Sequence, residues 1–152
     1  MLARETTGGR ATTLLIVDGH AGVRVALARR LGQAPGITAA VAVDDLDAAV
    51  RLAAQLLPEV IVCDPRTLPA APTAVVRVLA ATGAAVVVLT SSLDEGEAAT
   101  LERAGARAVV LKGSARATLV ASVQKARVDG ARAAPLHPTP DEVALPAPRL
   151  GA

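Results

Sequence analysis

Four residues able to do polar chemistry each follow a short apolar run. Asp18 follows Leu14-Leu15-Ile16-Val17, Asp64 follows Val60-Ile61-Val62-Cys63, Thr90 follows Ala85-Val86-Val87-Val88-Leu89, and Lys112 follows Ala108-Val109-Val110-Leu111. Two carboxylates, a hydroxyl and an ammonium suit phosphoryl chemistry. One carboxylate can act as nucleophile and become an acyl phosphate. A Mg²⁺ held by Asp18 and Asp64 would neutralise charge on the phosphoryl oxygens. Lys112 and Thr90 would each donate to one of those oxygens. Taken singly the residues have plainer roles, Asp18 as a helix cap, Asp64 and Thr90 in strand-end turns, and Lys112 as a solvated charge. Their recurrence at four run ends favours one shared site.

The apolar runs must be strands that bring these ends together. Val60 to Cys63 has no alternation and three β-branched residues, the pattern of a strand covered on both faces. Pro65 to Pro69 cannot continue it. Ile37 to Val43 is a further, alanine-diluted strand expected at an edge. Helical spacing separates the strands. Val23, Leu27, Leu31 and Ala34 form one stripe, ended by Pro35-Gly36. Leu46, Ala49, Val50, Ala53 and Leu57 form a second, ended by Pro58. Thr73 to Ala81 predicts a third helix. Ser92 and Glu95 have the spacing of a capping box for a fourth, which closes at Gly105. Ser114 opens a fifth, with Leu119, Val120 and Val123 inward and Arg116, Gln124 and Arg127 outward. Strict alternation of five strands and five helices predicts an α/β domain with a parallel sheet and right-handed crossovers. In such sheets the ligand crevice lies at the carboxyl ends of the strands, where the four residues fall.

Composition bounds the rest. The 152 residues make one domain, expected over 12–130, after a flexible N-terminus (1–11) and before a Pro-rich, disordered tail (131–152) with no output domain. The core must be Val, Leu, Ile and Ala, because the chain has no Phe, Tyr or Trp. That also removes the stacking platforms used on single-stranded nucleic acid. A net charge of +2 with dispersed arginines gives no nucleic-acid surface. Cys63 is the single cysteine and forms no internal disulfide, which fits a reducing compartment. It reads as a small buried hydrophobe. No targeting segment or membrane span is visible, so the chain reads as soluble and cytoplasmic.

The sequence resembles the receiver domains of two-component response regulators, in particular those preceding LuxR/NarL-type DNA-binding domains. The resemblance rests on Leu15-Ile16-Val17-Asp18-Gly19-His20 with Val23-Arg24 and Leu27, and on Pro58-Glu59-Val60-Ile61-Val62-Cys63-Asp64. It continues through Val88-Leu89-Thr90-Ser91-Ser92 and from Ala104-Gly105-Ala106 to Leu111-Lys112-Gly113, covering about residues 12–128 in the family's order. It implies a flavodoxin-like (CheY-like), doubly wound five-stranded parallel sheet of order 2-1-3-4-5 with helices on both faces. It implies Asp64 as phospho-acceptor, Asp18 in the acidic pocket with Mg²⁺ on Asp18 and Asp64, Thr90 as switch hydroxyl and Lys112 on the phosphate. It also implies a non-enzymatic phosphorelay module working by protein contacts, with a sensor histidine kinase or another signalling protein as partner and a homodimer as an option.

The chain departs from that family at three places. Gly19 stands where a second acidic residue usually ligates Mg²⁺. Val109 stands where an aromatic or His usually swings inward, and Leu68-Pro69-Ala70-Ala71-Pro72 replaces a Met-Pro-Gly turn. These departures raise an alternative, a receiver-like interaction or dimerisation module that takes no phosphate. A remoter one is a ligand domain of the cobalamin-binding type, since Asp18-Gly19-His20 is similar to its Asp-x-His-x-x-Gly loop and Ser91-Ser92-Leu93 to its Ser-x-Leu. Against it, position 23 is Val rather than Gly. His20 reads as a polar loop residue beside the pocket. The acidic fourth helix, with Asp94, Glu95, Glu97 and Glu102, together with the adjacent fifth strand and the arginines of the last helix, is the expected partner-binding face, with complementary charge available for self-association.

Overall fold

A computed structural model describes residues 12–92 and 94–133. The N-terminal stretch, Leu93 and the segment 134–152 lie outside the described residues, and with them most of the expected tail. Five strands, β1 (Thr12–Val17), β2 (Ile37–Val43), β3 (Val60–Cys63), β4 (Ala85–Thr90) and β5 (Ala106–Leu111), form one parallel sheet of order β2-β1-β3-β4-β5. Helices α1 (Ala21–Gly32), α2 (Leu46–Leu56), α3 (Pro72–Ala80) and α4 (Glu95–Ala104) fill the four crossovers, and α5 (Arg116–Ala133) follows the last strand. This is the flavodoxin-like, doubly wound topology, with β2 at an edge and β3 at the centre.

The two-residue period of the strands divides the core between the faces. Leu14, Ile16, Val60, Val62, Val87 and Leu89 point to the side covered by α1 and α5. Leu15, Val17, Ile61, Cys63, Val86 and Val88 point to the side covered by α2, α3 and α4. Every residue of β3 and β4 is buried, as runs without alternation require.

Several element ends differ from expectation. α1 stops at Gly32, and Ala34 is buried from the turn that follows, where its N–H bonds the Leu31 carbonyl at 3.1 Å. Leu57 leaves the buried stripe of α2. Pro58 bars it from the right-handed helical region, and it caps the helix at φ 47°, 75% exposed. The cap of α4 is Asp94, whose Oδ1 accepts from the Gly96 N–H at 2.8 Å, rather than Ser92. α5 begins at Arg116, two residues past Ser114, and its Arg127 turns back to Glu59, Nε to Oε2 3.1 Å.

Candidate functional site

The carboxyl ends of β1, β3, β4 and β5 carry the polar cluster, and the ladder hydrogen bonds continue one residue past the strands to fix it. The Asp18 N–H bonds the Val43 carbonyl at 3.1 Å, that of Asp64 the Val17 carbonyl at 3.1 Å, and that of Lys112 the Thr90 carbonyl at 2.8 Å. Asp18, Asp64 and Thr90 are the buried polar residues of the described chain. The Lys112 ammonium lies in hydrogen-bonding contact with Asp64 Oδ2 and 3.5 Å from Asp18 Oδ2. One cation therefore bridges two carboxylates at a sheet edge. Burial pushes the Lys112 ammonium towards neutrality, but its hydrogen bond to Asp64 and the charges of Asp64 and Asp18 outweigh that and raise its pKa.

The remaining carboxylate oxygens are engaged by backbone donors. Asp18 Oδ1 accepts from the His20 N–H at 2.7 Å, and Asp64 Oδ1 from the Arg66 N–H at 3.2 Å. Asp64 thus caps a 3₁₀ turn, Pro65–Thr67, with proline at its first position. Thr67 Oγ1 donates back to the Asp64 carbonyl at 2.7 Å and accepts from the Gly19 N–H at 2.8 Å. The loop after β3 is thereby latched to the loop after β1. A Cβ on Gly19 would stand 2.3 Å from the Thr67 carbonyl oxygen, so this arrangement admits only glycine at position 19.

Asp18, Asp64 and Lys112 thus converge as the sequence implies. Thr90 reaches the same edge, but its hydroxyl is turned to its own loop, donating to the Ser92 carbonyl at 2.8 Å. His20 is exposed, its Nδ1 3.6 Å from Asp18 Oδ1. Arg24 is half-buried, and its Nη1 donates to the Asp18 carbonyl at 2.9 Å. Sequence reasoning missed Thr67 and Arg66. The Asp64-Pro65 start of a capped turn could have pointed to Thr67, since a hydroxyl three residues on reaches the cap carbonyl. Arg66 spans from this turn to α4, bonding Glu97 and, at 3.5 Å, Ser92 Oγ. Val109 is half-buried against the core under α4. Cys63 sits beneath the cluster, and burial, then the charges of Asp64 and Asp18, push its thiol up to about 12.

The donors that could hold a cation are the two carboxylates. Among the described residues no group of three His, Cys, Asp or Glu is gathered. A pair of carboxylates fits a hard ion that keeps several waters, such as Mg²⁺, and Asp18 and Asp64 would be the residues to hold it.

No protein-family model matches the chain, and no curated protein matches it. Its solved structural neighbours include receiver domains of response regulators. A LuxR-family two-component response regulator from Aurantimonas sp. SI85-9A1 aligns with TM-score 0.72 and 23% identity, over 78% of this chain and 86% of that one. The response regulator domain of Thermotoga maritima CheB gives TM-score 0.69 and 21% identity, over 78% and 98%. The Vibrio cholerae chemotaxis protein CheY4 gives 0.69 and 18%, over 76% and 98%. The fold is the CheY-like receiver fold. No helix of the described residues is long and apolar enough to cross a membrane.

Proposed function

We propose that the chain is a receiver-type module of two-component or phosphorelay signalling, in which Asp64 accepts a phosphoryl group and the domain acts through protein contacts rather than as an enzyme. The Lys112 ammonium bridging Asp64 and Asp18 carries this reading, because it puts a cation where a phosphoryl group on Asp64 would add negative charge. An Asp64 carboxylate oxygen attacks the donor phosphorus, the new O–P bond forms, and the donor's leaving group departs with the electron pair of the bond that breaks. Lys112 would then move from the carboxylate to a phosphoryl oxygen, and Thr90 would turn from Ser92 to another. Mg²⁺, when bound by Asp18 and Asp64, would supply further neutralising charge. The partner on this reading is a sensor kinase or another signalling protein, with a second copy of the chain as an option.

One observation favours a second reading, contact signalling without phosphorylation. The Gly19–Thr67 latch closes the place where a third oxygen ligand would enter. Incubation with acetyl phosphate and Mg²⁺ followed by intact mass separates the two. The first expects one phosphoryl addition, abolished by Asp64→Asn and reduced by Asp18→Ala. No addition, together with no NMR shift changes on adding beryllofluoride, overturns the first and favours the second.

A further inference from the structure

Helices α1 and α5 cover the same face of the sheet but leave a cavity of about 290 Å³ between them. Its wall is apolar, with Val23, Ala26 and Leu27 from α1, Leu89 from β4, Leu111 from β5 and Leu119 from α5. The gap follows from composition. α1 presents Gly22 and Ala26 here, and the chain has no aromatic ring to fill the space. The lining contains three cations, Arg30, Arg116 and Lys112, and no carboxylate. Neither Arg30 nor Arg116, both exposed, has an ion-pair or hydrogen-bond partner among the described residues.

An apolar recess under unpaired guanidinium groups is complementary to a hydrocarbon body with a negative head. Arginine forks match carboxylates in two parallel hydrogen bonds. The volume lies just below the range for small-molecule sites, about 300–1,000 Å³, and suits a single short chain rather than a protein segment. We propose that the α1–α5 cavity binds a small alkyl carboxylate, its chain against Leu27, Leu89 and Leu119 and its head between Arg30 and Arg116. Lys112 lines this cavity and its ammonium contacts Asp64, so the cavity adjoins the strand-end site.

The test needs no phosphodonor and is independent of the phosphoryl-transfer reading. Sodium octanoate is titrated into the full methyl-labelled chain and followed by NMR, with octylammonium and acetate as controls. Saturable shifts of the Leu27, Leu89 and Leu119 methyls are expected with octanoate alone. Losing two charge-assisted hydrogen bonds in Arg30→Ala/Arg116→Ala should weaken binding by roughly tenfold or more. Ala26→Leu, which fills the recess and leaves its charges, should abolish it. Equal binding of octylammonium, shifts insensitive to both variants, or no saturable shift at millimolar octanoate would each overturn the proposal. The paired-arginine variant lies on the surface and keeps the test decisive if Ala26→Leu fails to fold.

Discussion

The two faces of the sheet are built from the same strands and sealed unequally. On the α2–α3–α4 face, Ala49, Ala53, Val75, Val76, Leu79, Leu101 and Ala104 close on the strands. On the other, Leu31, Val123 and Ala126 pack well, yet Gly22 and Ala26 of α1 stand opposite Leu119 across an open cavity. In a core without aromatic residues, small side chains seal a face only where helix and strand approach closely. Where two helices diverge, nothing in this composition reaches across.

The largest effect that tests this contrast is a pair of truncations. Leu79→Ala removes a fully buried side chain from the sealed face and should cost about 4 kcal/mol, since the void has no route to solvent. Leu27→Ala borders an existing gap and should cost about 2 kcal/mol. Urea unfolding measures both. Equal losses would show that the cavity leaves the packing of α1 unaffected.

Where the faces meet, at the strand ends, the loop leading to α1 touches the turn leading to α3. Gly19→Ala would push a Cβ into the Thr67 carbonyl and should cost about 1–3 kcal/mol. Gly19→Asp, which on sequence grounds restores an oxygen ligand, should instead open the latch and lower the melting temperature in the absence of Mg²⁺. A Gly19→Asp protein as stable as wild type without metal would show that the two loops are not held together.

These two regions were not equally legible beforehand. The parallel sheet and the gathering of Asp18, Asp64 and Lys112 at its carboxyl edge follow from local signals, an uninterrupted apolar run closed by a polar residue, whereas the strand order is implied by the family resemblance alone. The Gly19–Thr67 contact joins residues 48 apart and has no local signature, so glycine there reads only as a missing ligand. The α4 cap was ambiguous because Ser92 and Asp94 both accept hydrogen bonds well, and only the backbone path chooses Asp94. Leu57 counts as apolar in any periodicity, although the proline after it forces it out of the helix.

Alkaline pH probes one titrating group on each side of the sheet. The Cys63 thiol, on the sealed side, rises from 9.0 to about 12 in the folded chain. Its contribution is intact below pH 9.0 and is lost as pH climbs towards 12, because the unfolded thiol ionises first. Lys112, bordering the open cavity, is raised above 10.5, so its ion pairs also support folding below that pH and fade above it. Stability should therefore be flat from pH 7 to about 8.5 and fall above it. Cys63→Ala should flatten the first part of the fall and Lys112→Met the later part. A wild-type profile level to pH 11 would contradict both assignments.

The smallest effect concerns Arg66, which ties the turn after β3 to α4 on the sealed side. Its partner Glu97 lies in the first turn of α4, where a negative charge already favours the helix dipole. Both side chains are partly exposed, so the pair should contribute no more than about 0.5 kcal/mol in a double-mutant cycle, and less at high salt. Its interest lies in what it withholds from a partner. With Glu97 engaged by Arg66, the exposed carboxylates of α4 include Glu95 and Glu102, so charge reversal at Glu102 should weaken association through this helix more than reversal at Glu97. Arg66→Ala should then enhance association by freeing Glu97. Sedimentation at low and high salt reads all three variants. A stronger effect at Glu97 than at Glu102 would mean that Arg66 releases its carboxylate when a partner binds.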